Sequence, residues 1–327
     1  MRLTLHSIAG LCVTTLGLGL LAAPAVAQDN FPNRPITLVV PYPAGGGGDA
    51  QGRILALKLG EKLGQNVVVD NRPGAGTAIG ASFVSKSRPD GYTLIWTSAS
   101  TFTFNPAIST NLSYDPVKGF EPIGMGSNVA MVLLANANTP VNDVKGLVAE
   151  LKANPTKYSY ASFGNGTAAH FAAEMMLGTM GAKMLHVPYK GSAPAMTDLI
   201  GGQVSFSMDT VTAALPQLKG GKVKAIAVTS AKRSQQLPDV PTFTESGYPL
   251  DVTSWGMLAA PPGLPPAVRA KLEKALAETI ADPQVRQGFA TQGVEALFVS
   301  GAKAAAQIER ELPAMRAMAA RAGIQGN

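Results

Sequence analysis

The segment Pro41-Tyr42-Pro43-Ala44-Gly45-Gly46-Gly47-Gly48-Asp49 is the part of the chain best equipped to hold a ligand. It follows an apolar run and precedes a helical pattern. Glycines at such a strand-to-helix turn let the backbone approach a ligand closely and aim N–H groups at it. The helix start adds a positive partial charge, so an anion can be held with no charged side chain. Asp49 stands where an N-cap is expected. The plain alternative is a flexible connection that binds nothing.

A second turn has similar ingredients. The run Tyr158–Ala161 leads into Ser162-Phe163-Gly164-Asn165-Gly166-Thr167, and a helical pattern carrying His170 and Glu174 follows. Two glycine-rich, hydroxyl-bearing turns suit a carboxylate clamped between two lobes. If Gly45, Gly46 and Gly166 touch a ligand through their N–H groups, none tolerates a β-carbon. His170 lies one turn inside its helix, as a structural hydrogen-bond partner or as a ligand contact.

A third turn, Gly74-Ala75-Gly76-Thr77-Ala78-Ile79-Gly80, is one residue too long for the dinucleotide fingerprint G-x-G-x-x-G. We read it as a tight turn. An NAD-dependent oxidoreductase using Gly74–Gly80 is the alternative reading of the chain.

Catalytic signatures are otherwise scarce. There is no G-x-S-x-G elbow and no phosphate-binding G-x-x-x-x-G-K-[ST] loop. Ser162, His170 and Asp209 could compose a triad on paper, but nothing marks an activated nucleophile. Beyond the N-terminal segment only His170 and His186 remain as histidines, and the single cysteine is Cys12, so no metal site is expected. The expectation is a binding protein that is no enzyme and needs no cofactor. The net charge of +6 comes from scattered residues, which argues against nucleic acid. A monomer is expected.

These turns need a scaffold, and the pattern supplies one. Apolar runs that read as strands are Ile36–Val40, Val67–Val69, Tyr92–Trp96, Val129–Leu134, Tyr158–Ala161, Leu185–Val187, Val204–Met208 and Val223–Val228. Helical patterns cover Asp49–Leu63, Thr77–Lys86, Val141–Ala153, Thr167–Thr179, Ser192–Ile200, Pro266–Ala281 and Ala302–Arg321. Short buried strands alternating with helices predict an α/β protein with parallel sheets. Glycine (35) and proline (24) exceed the roughly 12% of an average protein, as many tight turns require. Tyr114–Gly126 and the Pro/Gly-rich Leu237–Pro262 read as two crossovers. They give a discontinuous first lobe, 28–125 plus 253–327, and a second lobe, 126–252.

The first residues differ from the rest. Arg2 precedes an apolar run, Ile8–Leu21, that ends in Pro24-Ala25-Val26-Ala27. This is the pattern of a secretory signal peptide cleaved after Ala27, and it is too short to span a bilayer. It predicts export to the periplasm.

Taken in series, several motifs resemble the substrate-binding proteins of tripartite tricarboxylate transporters, the Bug family of periplasmic receptors. They are Tyr42-Pro43-Ala44-Gly45-Gly46 with Asp49 and Arg53, Val68 to Gly76, Pro89-Asp90-Gly91-Tyr92-Thr93-Leu94, Gly164 to His170, Val187-Pro188-Tyr189-Lys190-Gly191, Gly202-Gln203-Val204, and Pro238-Asp239-Val240-Pro241-Thr242. The resemblance spans Phe31 to about Gly323. It implies a type II periplasmic binding fold, two doubly wound α/β lobes with a hinge and a ligand cleft, closing as a Venus flytrap. It implies a small carboxylate as ligand, aromatic and dicarboxylic acids included, and transporter membrane subunits or a sensor protein as partner. It also implies a site made by Tyr42, Pro43, Ala44, Gly45 and Gly46, the strand end Ser98-Ala99, and the turn Ser162, Phe163, Gly164, Asn165, Gly166 and Thr167 with His170, bordered by Asp209. At Gly48, where many relatives carry a hydroxyl residue, this chain offers backbone alone. Phe163 is bulky for its turn and points to a flat or aromatic ligand.

Overall fold

The protein is described here by a computed structural model covering residues 30–109, 111–189 and 191–324. The signal-peptide reading falls on residues outside these.

A ten-stranded mixed sheet organises the chain from Pro32 onward. Its strands are β1 (Ile36–Val40), β2 (Val67–Asn71), β3 (Thr93–Ser98), β4 (Glu121–Asn136), β5 (Ser159–Ser162), β6 (Leu185–Pro188), β7 (Phe206–Thr210), β8 (Val223–Val228), β9 (Thr253–Ala260) and β10 (Glu295–Ser300). The order along the main path is β2-β1-β3-β9-β4-β7-β5-β6, with β8 and β10 both paired to β4. The flanking helices are α1 (Gly47–Leu63), α2 (Ala78–Ser85), α3 (Asn105–Ile108), α4 (Val144–Ala153), α5 (Ala168–Met180), α6 (Ser192–Ile200), α7 (Val211–Lys219), α8 (Pro266–Ala281), α9 (Pro283–Thr291) and α10 (Gly301–Ala322).

β4 links the two halves of the sheet. Its first part, Glu121–Ala130, pairs antiparallel with β9. From Met131 on it pairs antiparallel with β7 instead, and with β8 on its other edge. The strand thus leaves one half and becomes the shared centre of the other. Thr229 ties this crossing to the return segment: its N–H donates to Met131 O (2.9 Å) and its hydroxyl to Val252 O (2.6 Å).

The expected parallel pairing holds on the outer strands, β1 with β2 and β3, and β5 with β6 and β7. It fails at the centre, where every pair made by β4 or β9 is antiparallel. The reason is the crossing itself: β4 carries the chain out of the first half and β9 brings it back, so the two run in opposite directions.

Local sequence explains the elements around the first glycine turn. Ile36–Val40 is β-branched and apolar, and Ile36, Leu38, Val39 and Val40 are fully buried, as a central strand demands. Leu55, Leu59 and Leu63 recur at four-residue spacing and turn one face of α1 inward. Gly64, in the left-handed conformation, ends that helix. A large apolar core joins residues of both halves, and within it Phe104 stacks on Phe171 with centroids 5.1 Å apart.

Candidate functional site

The α1 start opens into a cavity of about 620 Å³ between the two halves of the sheet. Gly45 to Gly48 and Tyr42 line it from the first half, with Ser98 at the end of β3. Phe163 and Thr167, ahead of α5, and Thr210 and Thr212, ahead of and within α7, line it from the second. Ser127 and Val129 on β4 with Ser254 and Gly256 on β9 form its floor, and Thr291, Gln292 and Val294 close one side. The volume suits one small molecule.

α1 begins at Gly47, with Gly46 as N-cap, two residues earlier than the sequence predicts. Asp49 is therefore not the cap. It lies inside the first turn and is buried, and its carboxylate faces back into the loop. Oδ2 accepts from Gly45 N–H (2.8 Å) and Arg53 Nε (2.9 Å), and Oδ1 accepts from Asn71 Nδ2 (2.9 Å). Asn71 Nδ2 also donates to Tyr42 O (3.1 Å). Arg53, with the Gly45 N–H, holds the Asp49 carboxyl down at about 2. This permanent internal anion fixes the loop.

The consequence for ligand contacts is specific. Gly45 N–H already serves Asp49, and Gly46 N–H turns back to Pro43 O at 3.3 Å. The N–H groups of the first helical turn, from Gly47 onward, have no preceding turn to bond. A glycine N-cap supplies no side chain to satisfy them. The start of α1 thus presents bare backbone donors and a positive partial charge to the cavity.

Tyr42 sets the adjacent wall. Its hydroxyl donates to Ser98 Oγ (2.8 Å) and accepts from Ser98 N–H (3.1 Å). Thr97 Oγ1 lies 3.4 Å from it and continues to Thr101 (2.6 Å) and then Thr77 (2.8 Å), a buried chain of hydroxyls behind the cavity. Burial pushes the Tyr42 phenol up, so it stays neutral.

The second turn behaves differently from the first. Gly164 N–H bonds Ser162 Oγ (3.2 Å), Gly166 N–H bonds His170 Nδ1 (3.2 Å), and Thr167 N–H bonds Gly164 O (3.4 Å). Its contribution to the cavity is the side chains of Phe163 and Thr167. Ser162 is fully buried and pairs with His186 Nε2 at 2.7 Å, not with His170. The two imidazoles stack at 3.8 Å, and burial pushes both down to about 4. His170 is a structural partner of its own turn.

Of the residues expected at the site, Tyr42, Gly45, Gly46, Ser98, Phe163 and Thr167 meet at the cavity. Pro43, Ala44 and Asn165 are exposed outside its lining, whereas Ala99, Ser162, Gly166 and His170 are buried beneath it, and Gly164 belongs to the turn behind. Asp209 is fully buried too, accepting from Ser192 Oγ (2.6 Å) and Thr210 N–H (2.7 Å). The imagined triad is not assembled. Gly74–Gly80 also stays outside the lining: Asn105 donates to Gly76 O, and a β-carbon at Gly80 would meet Arg72 O at 3.0 Å.

Several lining residues escaped the sequence reading. Ser127, Val129 and Gly256 come from the two crossing strands, which pair there: Gly256 lies between Ser98 and Ser127 in register. Thr210 had a usable signal, a threonine closing a strand just ahead of a helix, and it does cap α7. Thr291 and Gln292 had none.

A helix start with no side-chain cap thus faces a cleft between the two sheet halves. Residues 52–323 match the family model described as the tripartite tricarboxylate transporter family receptor. The chain belongs to this family. The curated relative BugT of Bordetella pertussis is 36% identical over 291 residues, covering 88% of each chain. The solved periplasmic binding protein BugD is 39% identical with a TM-score of 0.74, covering 90% of this chain and 99% of its own. The R. palustris protein Rpa4515, solved with adipate, is 32% identical with a TM-score of 0.78, covering 90% of this chain and 99% of its own. With these relatives the chain shares the α/β periplasmic-binding fold expected from its sequence. Among the described residues no helix is long and apolar enough to cross a membrane.

Proposed function

We propose that this family member is a periplasmic receptor that captures a small carboxylate in the cleft and presents it to the membrane subunits of a tripartite tricarboxylate-type transporter. The observation that carries the reading is the start of α1, capped by a glycine with no side-chain bond and lining the cavity. A carboxylate there receives backbone N–H bonds and the helix field, both of which favour the charged form. The adipate bound to Rpa4515 supports the ligand class. Binding needs no covalent step and no cofactor. It acts by favouring the closed arrangement of two lobes, because contacts from both sides exist only there.

The lobes in this reading are 28–125 with 253–327 and 126–252, hinged where β4 changes partner and where Thr229 meets Val252. Export follows cleavage after Ala27, and N-terminal sequencing of the periplasmic protein checks it. A sensor protein as the partner would use the same closed form.

Thermal shift against a carboxylate library, with NAD as a control arm, tests the ligand class. Stabilisation by carboxylates and not by NAD is expected. Stabilisation by NAD alone would overturn the reading.

A further inference from the structure

The two edges of β4 are built differently where the strand passes from one half of the sheet to the other. Along one edge the pairing with β9 stops at Ala130↔Thr253 and that with β8 begins at Val132↔Val228. Thr229 and Val252 bond each other across that junction. Along the opposite edge the pairing with β10 stops at Asn128↔Glu295 and that with β7 begins at Met131↔Thr210. Val129 and Ala130 have no strand partner on that side.

The end of α9 and the start of α7 meet at this gap. α9 packs on α1, α8 and β10 in the first half, whereas α7 packs on β7 and β8 in the second. The Thr212 hydroxyl, in the first turn of α7, donates to the backbone carbonyl of Gln292, the residue that ends α9. A second bond joins the same turn to the loop after β8: Gln236 Nε2 donates to Ala290 O at 2.6 Å. Gly293 lets the two backbones approach. Its φ is +69°, and a β-carbon there would lie 2.7 Å from Thr212 Cα.

The contact is made without surplus. Gln236 Oε1 and Gln292 Oε1 are both buried with no donor in reach. A stranded acceptor costs at least as much as a neutral hydrogen bond contributes. The two bonds across the gap and the two stranded oxygens largely offset one another, so the halves are joined here by a small margin. The chain itself crosses along β4 and on the β8–β9 edge, so any opening pivots there and parts Thr212 from Gln292.

We propose that the turn from α9 into β10 is a latch between the halves, with Thr212 and Gln236 as positioning residues that set the balance of open and closed receptor. This rests on the lobe-closure reading above and adds the contact that governs it. A solute needs only a modest preference for the closed form to tip a balance held this narrowly.

Small-angle scattering of the ligand-free protein tests the latch, with melting temperature as the check on folding. Thr212→Val and Gln236→Glu each remove a donor. Both are expected to shift the open-to-closed ratio about two- to tenfold toward open, read as a larger radius of gyration, and the double variant to shift it further. Thr212→Ser, which keeps the hydroxyl, is expected to retain the natural radius. Gln292→Leu removes one stranded acceptor and keeps the backbone carbonyl. Added to Gln236→Glu, it is expected to bring the radius back toward the natural one. Gln236 lies outside the cavity lining, so its effect does not pass through a ligand contact. Folded donor variants with the natural radius overturn the latch and leave the carboxylate reading to the thermal-shift screen. A radius that responds to them, in a chain that no carboxylate stabilises, keeps the latch and overturns the carboxylate reading.

Discussion

The ring of Tyr42 occupies the place that a β-carbon on Gly48 would fill; such an atom would lie 2.9 Å from the Tyr42 Cε2 and Cγ atoms. The glycine therefore admits the rotamer that lets the phenol reach Ser98. Gly48→Ser is expected to displace the ring, break the Tyr42–Ser98 bonds and weaken carboxylate binding at least tenfold. The accompanying stability loss is about 1–2 kcal/mol, as for overpacking. Tyr42→Phe, which keeps the ring and removes only the hydroxyl, should be milder in both calorimetry and melting temperature.

Gly46 offers the opposite case. Its backbone angles are ordinary extended ones, and a β-carbon there would meet only Pro43 O at 3.4 Å. Gly46→Val is thus expected to fold and melt close to the natural chain while blocking access to the α1 donors. Natural affinity in that variant, measured by calorimetry, would remove the cradle from the mechanism.

Acid should act in two separate windows. Burial depresses His170 and His186 to about 4 in the folded protein from an ordinary value near 6.5, so the unfolded chain takes up protons first. Their neutral pairing supports the fold fully above pH 6.5, and that support is lost as the pH falls toward 4. Discounted for partial exposure, the loss is about 2 kcal/mol. Urea midpoints measured between pH 7 and 4 should show it, and His186→Gln should flatten the slope.

The lower window belongs to Asp49. Its folded value of about 2 lies below the ordinary 3.8, so its contribution is complete above pH 4 and disappears as the pH falls to 2. Asp49→Ala leaves the Gly45 N–H, Asn71 and Arg53 without their shared acceptor. An expected cost of about 1–2 kcal/mol follows from losing these hydrogen bonds to partners that water can reach, visible as a lower melting temperature with carboxylate binding also reduced.

Thr229 is the remaining test. Thr229→Val keeps the shape but removes the hydroxyl that bonds Val252 O. A cost of about 1–2 kcal/mol is expected, together with a change in ligand-induced compaction measured by small-angle scattering.

Much of the scaffold was legible in the chain. The limits of β1, β8, α6 and α8 coincide with the apolar and proline patterns that predict them. Those elements are either uniformly apolar or flanked by clear starts and stops. β9 was hidden inside a stretch read as a Pro/Gly-rich return, because Gly256 interrupts it; Trp96 and Ser127 crowd the space a side chain would need there. β10 is a mixed sequence that pairs with β4 off the main path of the sheet. α7 escaped because Pro216 sits inside it.

The site was legible in its chemistry and less so in its membership. Glycine and hydroxyl composition identified both turns, and Tyr42, Ser98 and Phe163 do face the cavity. The N–H groups of Gly45 and Gly166 were invisible as already engaged, since their partners Asp49 and His170 are disclosed only by side-chain direction. The floor depends on strand register across more than 100 residues of sequence, which local pattern does not carry.

Because β4 serves both halves, separating them breaks a continuous strand. Excising the second half would cut one continuous strand between Ala130 and Met131, leaving the part paired with β9 in one piece and the part paired with β7 and β8 in the other. Exchange of one half alone would have to rejoin that strand in register at Met131.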